Sequence, residues 1–179
     1  SVGYRAPHAT EMLSHLAEYC AHNSPDELRY SDPSLDLRPH TGEIQSDDLK
    51  QVQSLLQQLI SDPDQLQRWW GEYVTEAKHS EHSDNEEPLN LSELHQQLEQ
   101  SDLVRRSEGT RLAYSKNNEG GYLFVEGQCF DLDHALMPLA ELLSGQNHYT
   151  TTQITTWLKQ PPAQPVLLSL FNNDQLYCL

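Results

Sequence analysis

Apolar positions along the chain change period four times, and each change predicts a different kind of element. In SVGYRAP, Val2, Tyr4 and Ala6 alternate with other residues and stop at Pro7, the pattern of one short strand. No second strand-like segment follows in the next eighty or so residues, so its backbone groups need a partner from far along the chain, from another chain, or from residues outside this sequence. From Thr10 the period becomes helical. Leu13, Leu16, Ala17 and Cys20 recur at i, i+3, i+4 and i+7, with Thr10 as the expected N-cap. Pro25, Pro33, Pro39 and Gly42 then mark a long irregular connection. Ser46 is expected to cap a second helix carrying Leu49, Val52, Leu55, Leu56, Leu59 and Ile60. Asp62-Pro63 opens a third, because proline at the first helical position gives up only an N–H that has no partner anyway. Its apolar side holds Leu66, Trp69, Trp70, Tyr73 and Val74. Adjacent tryptophans lie about 100° apart around a helix, so one is expected to pack inward while the other meets a partner.

Residues 79–90, HSEHSDNEEPLN, are polar, acidic and broken by a proline, and read as a linker. Ser92 is expected to cap a short helix with Leu94 and Leu98 inward. Beyond it the pattern alternates. Leu103-Val104 reads as a brief strand, and Thr110–Ser115 and Tyr122–Glu126 as strands joined by the turn KNNEGG. Glu126-Gly127 turns again into Gln128–Leu132. Three helices follow. One is expected over residues 134–144 with Gly145 at its C′ position; one opens on the capping box Thr150–Gln153; one carries Val166, Leu167, Leu170 and Phe171. Gln175–Leu179 is able to close as a strand. Small helices on a two- or three-stranded sheet predict a winged-helix-like domain. The fold class is therefore α+β, mainly helical.

Composition narrows the function. The 179 residues carry 11 Lys and Arg against 27 Asp and Glu, a net charge of −16. Such a surface repels phosphate, which argues against nucleic acid and anionic membranes as partners. No apolar run approaches the roughly 20 residues that cross a bilayer. Cys20, Cys129 and Cys178 are odd in number and far apart, matching neither a disulfide framework nor a zinc site, so a cytoplasmic location is expected.

Candidate chemistry is sparse. His82-Ser83-Asp84 with the distant His134 has the form of a two-histidine, one-carboxylate iron site, but it lies in an acidic linker rather than on stiff apolar strands. His79 and His82 share a possible helix face suited only to weak, adventitious metal binding. His8, His15 and His22 recur every seven residues, about 10 Å apart along a helix and too far for one ion, which suits a solvated stripe or an interface. Cys20 reads as a small buried hydrophobe. No residue is assigned as catalytic, cofactor-binding or metal-ligating. In residues 94–179, Arg105, Arg106, Arg111, Lys116 and Lys159 face nine acids, and the candidate recognition helix over 151–160 offers only Lys159, so the winged helix is expected to serve protein rather than DNA. Aromatic side chains are enriched at interfaces. Leu55, Leu59, Trp69, Trp70 and Tyr73 are the candidate homodimer interface.

Three strings carry a resemblance that covers essentially the whole chain: SVGYRAP at the start, YSDP at Tyr30–Pro33, and WWGEYVTEAKH at Trp69–His79. Together with the intervening helices they resemble the C-terminal half of bacterial cupin-type, JmjC-related ribosomal oxygenases, iron(II)- and 2-oxoglutarate-dependent dioxygenases acting on an arginine of a basic ribosomal protein. The resemblance implies that residues 1–7 are the last strand of a double-stranded β-helix. It further implies a helical dimerisation region over 8–83, a linker over 84–93 and a winged helix over 94–179. In that family the iron-binding His-x-Asp and the later His precede the SVGYRAP-like strand. The resemblance therefore implies an inert fragment without iron or 2-oxoglutarate ligands, whose intact parent uses both, and it takes His82-Ser83-Asp84 out of consideration as the site. Two rival readings are a stand-alone protein-interaction adaptor and an acidic winged-helix regulator of transcription. A parent reading frame continuing upstream with the missing ligands would discriminate against the first, and salt-sensitive DNA retention would support the second.

Overall fold

The computed structural model describes residues 7–23, 30, 40, 42–76 and 88–179. The expected first strand, most of YSDP, and the stretch holding His79, His82, Ser83 and Asp84 lie outside the described residues. The chain divides into two compact units, Ser1–Trp69 and Trp70–Leu179.

The first unit is helical. Helix α1 spans Ala9–Asn23. Its start is set by His8, whose carbonyl accepts the Met12 N–H and whose own N–H donates to the Glu11 carboxylate at 2.9 Å. Thr10 is thus an exposed residue of the first turn and not the cap. The inward stripe is Met12, His15, Leu16, Tyr19 and Cys20, rotated from the expected one, while Leu13 is 65% exposed and Ala17 also faces out. Two amphipathic residues that a hydrophobicity count passes over, His15 and Tyr19, turn the helix. Helix α2 spans Ser46–Leu59. Its N-cap is Gln45, one residue before the expected Ser46, and the Asp48 carboxylate accepts the Gln45 N–H at 2.9 Å. Helix α3, Pro63–Thr75, starts as expected, with the Asp62 side chain accepting the Asp64 N–H at 3.0 Å. Cys20 is buried. Its thiol lies 3.9 Å from the Leu59 carbonyl, and the Gln65 amide lies 3.8 Å from the sulfur.

The second unit opens with the end of α3 and then α4, Leu91–Glu99. Asn90, not Ser92, caps α4. Its side chain accepts the Ser92 and Glu93 N–H groups, and Glu93 returns the bond to the Asn90 N–H. Six strands follow: β1 Leu103–Arg106, β2 Leu112–Asn117, β3 Gly120–Val125, β4 Gln128–Asp133, β5 His148–Thr150 and β6 Leu176–Cys178. They form two antiparallel sheets, ordered β5-β1-β6 and β2-β3-β4. Helices α5 Met137–Gly145, α6 Thr151–Leu158 and α7 Gln164–Asn172 complete the fold.

The meander β2-β3-β4 is pinned by its turns. Strands β2 and β3 run on until Asn117 pairs with Gly120, so the turn is shorter than the KNNEGG string suggests. Gly120 and Gly121 lie inside β3 because a Cβ there would sit 2.1 Å from the Leu132 carbonyl oxygen and 2.0 Å from that of Ser115. The second turn holds Glu126 at φ 48° and Gly127 at φ 85°, the two left-handed residues of a type I′ hairpin. Every residue of β3 is buried. Leu123 and Val125 enter the main core with Leu94, Val104, Leu139, Leu143, Ile154 and Leu167. Phe124, on the opposite face, meets α3 at Gly71, and the buried Thr75 hydroxyl accepts the Gly127 N–H at 3.1 Å.

Helix α5 begins at Met137 rather than His134, because the Asp133 carboxylate accepts the Leu136 N–H at 3.0 Å and holds a turn there; Gly145 is its last residue rather than its C′. Thr150 and Gln153 form the expected capping box of α6. Strand β6 closes as expected, while β5 is a strand the sequence pattern does not announce. The mainly helical α+β class with a winged-helix domain stands.

Candidate functional site

The candidate interface residues separate by burial. Trp69 is 4% exposed, and its indole N–H donates to Nδ1 of His15 at 3.0 Å. A ring this enclosed has no face left for a partner, and His15 is drawn out of the solvated histidine stripe expected for it. Leu55, Leu59 and Tyr73 are half-buried. Trp70 is 43% exposed and stacks on Tyr73 with ring centroids 5.9 Å apart. The two neighbouring tryptophans therefore point apart, as helix geometry requires.

Among the described residues of the first unit, exposed apolar side chains also gather on another face of α2. Leu49, Val52, Leu56 and Ile60 are 61%, 41%, 57% and 50% exposed. Their spacing of three and four residues puts them on one helix face. The leucine pattern located this helix but not which of its two neighbouring stripes turns inward. The stripe facing in is Asp48, Gln51, Leu55 and Leu59, two of them polar. That choice has no signal in hydrophobicity.

The cations of the winged helix are largely engaged within the fold. Arg105 pairs with Glu108 at 2.7 Å, and Arg106 donates to the Leu143 carbonyl and the Asn147 side chain. Arg111 donates to the Glu76 carbonyl at 3.0 Å, and Lys116 pairs with Glu141, which raises the lysine pKa. Lys159 stands exposed at the end of α6. Burial raises the Cys178 thiol pKa, with a partly opposing hydrogen bond from Ser101. His134 has Nε2 3.1 Å from the Asn118 carbonyl, a tie across the meander. Among the described residues no three His, Cys, Asp or Glu side chains gather where they could hold one metal ion. These described residues therefore do not fit an iron site. Among the described residues no helix is long and apolar enough to cross a membrane.

Two three-stranded sheets, a wing hairpin with two left-handed residues and four short helices define the second unit as a winged-helix domain. The family model described as ROXA-like winged helix matches residues 58–177, and the chain belongs to that family. It is 25% identical over 174 residues to the ribosomal protein uL16 3-hydroxylase of Escherichia coli (strain K12), covering 97% of this chain and 45% of the relative. The crystal structure of the Escherichia coli ribosomal oxygenase YcfD superposes with a TM-score of 0.82 at 23% identity, covering 99% of this chain and 48% of that one. The structure of the same oxygenase in complex with cobalt and 2-oxoglutarate gives 0.81 at 23% identity, over 98% and 47%. At this identity the structural likeness establishes the fold. The chain spans about half the length of the relatives it matches.

Proposed function

We propose that this chain is the dimerising and winged-helix portion of an iron(II)- and 2-oxoglutarate-dependent hydroxylase acting in the cytoplasm on an arginine of a basic ribosomal protein. The observation that carries the reading is a match over 97% of this chain to 45% of a ribosomal protein hydroxylase. Residues 1–7 would then be the last strand of the catalytic barrel, 8–83 the dimerisation region, 84–93 a linker and 94–179 the winged helix. Iron and 2-oxoglutarate would be held by parent residues ahead of Ser1, leaving this chain inert alone.

The winged helix would serve protein contacts. Supporting this, Arg105, Arg106, Arg111 and Lys116 already bind groups of the fold, so few cations remain for phosphate. The exposed face of α2 supports self-association. The net charge of −16 would steer a cation-rich partner toward the protein. Incubating the chain with iron(II), 2-oxoglutarate and a ribosomal-protein peptide should release no succinate, whereas the longer gene product should release it. Turnover by the chain alone, or an upstream reading frame without His-x-Asp and a later His, overturns the proposal.

A further inference from the structure

Strand β6 is an outer strand of its sheet, and its register fixes which backbone groups are used. Ser107 donates to the Gln175 carbonyl at 3.1 Å, Leu179 donates to the Leu103 carbonyl at 2.9 Å, and Arg105 stands opposite Tyr177. In an antiparallel ladder this places residues 175, 177 and 179 in the hydrogen-bonded pairs with β1. Leu176 and Cys178 then turn their N–H and C=O groups away from β1. The same two residues, with Tyr177, line an open groove of about 510 Å³ whose other walls include Gln97, Gln100 and Asn172. Among the described residues no strand pairs with this outer edge, along which Leu176 is 2% exposed and Tyr177 and Cys178 are half-buried, and an unpaired edge beside a groove is a template for strand addition.

The groove already handles backbone in this way. The Asn172 side chain accepts the Leu89 N–H at 2.7 Å and donates to the Leu89 carbonyl at 3.2 Å, reading both main-chain groups of a residue that also lines the groove. Its charge selects the occupant. Among the described residues no Lys, Arg or His lines it, Asp174 does, and the exposed acids Glu99 and Asp102 flank the lining residues Gln100 and Ser101 in sequence. A second copy of the chain would bring acid against acid.

We propose that the β6 edge and its groove dock an extended, lysine- or arginine-rich segment of a partner protein by strand addition. This site shares no residue with the α2 face and is independent of the hydroxylase reading. The probe is a short synthetic peptide alternating lysine with valine and threonine, titrated into the isotope-labelled full chain and followed by amide NMR shifts. The Leu176 and Cys178 amides should move, and Cys178→Pro, which removes an outward N–H together with the half-buried thiol, should weaken binding about fivefold or more, whereas Cys178→Ala, which keeps the N–H, should not. Asp174 has φ 54°, and Asp174→Asn, which keeps the tolerance for that left-handed backbone, should weaken binding at low salt and leave it unchanged at high salt. Should the proline variant not fold, the salt-dependent loss in Asp174→Asn and the failure of a glutamate-for-lysine peptide still support the docking site. Unchanged binding in a folded Cys178→Pro, shifts confined to other elements, or equal binding of the glutamate peptide overturns it. Concentration-dependent shifts of the β6 amides without peptide would assign the edge to a second copy and also overturn it.

Discussion

Tyr149 closes the end of α5 from a strand. It is 1% exposed, and its hydroxyl lies 2.7 Å from the Leu143 carbonyl and 2.6 Å from that of Gln146, two acceptors a helix end leaves without intrahelical partners. Tyr149→Phe takes the hydroxyl from both carbonyls, leaving Leu143 with Arg106 alone, and should cost about 0.5–1.5 kcal/mol, measurable by urea denaturation. Burial also raises the Tyr149 pKa, with Arg106 opposing in part. A folded pKa above the unfolded one means that the contribution is fully present below the ordinary value of about 10 and is lost as pH rises through the folded value. The wild type should therefore lose stability above about pH 10 more steeply than the phenylalanine variant. Gly71 makes a second residue-scale prediction. A Cβ there would lie 2.3 Å from the ring of Phe124, itself 1% exposed. Neither partner has room to yield, so Gly71→Ala should cost about 1–3 kcal/mol by overpacking, seen as a lower Tm.

At the scale of elements, long periodic helices and glycine-marked hairpins were readable from the sequence, while start positions and facings were not. Asn90 and Gln45 displaced the expected serine caps because Glu93 and Asp48, three residues on, complete the reciprocal bond. A lone serine has no such second half. Strand β5 escaped notice because three residues show no alternation, and its last, Thr150, also caps α6. Helix α1 lies where the periodicity puts it but is rotated, since His15 and Tyr19 pack inward by their rings. The candidate interface shows the same limit. Trp69 and Trp70 carry equal weight in the sequence, and it is Trp69 that is enclosed, with its indole N–H on His15. The α2 face makes a prediction at this scale. Leu49 and Leu56 are both exposed in the single chain, so the double change to lysine should leave the fold intact by circular dichroism. If α2 forms the dimer, the variant should raise the dissociation constant about a hundredfold or more in sedimentation.

The whole molecule distributes its strand pairing unevenly along the sequence. The meander β2-β3-β4 joins neighbours through tight turns, whereas β1 pairs Leu103 with Thr150 and Arg106 with Leu176. Hairpins of the first kind form in about 1–10 μs, while pairing across long loops carries a closure entropy that must be met before any contact repays it. The wing is therefore expected to assemble before the later sheet is completed. Until Leu176 and its neighbours arrive, β1 has one side without a strand. Mutations in the wing should slow refolding, and mutations in β6 should mainly hasten unfolding.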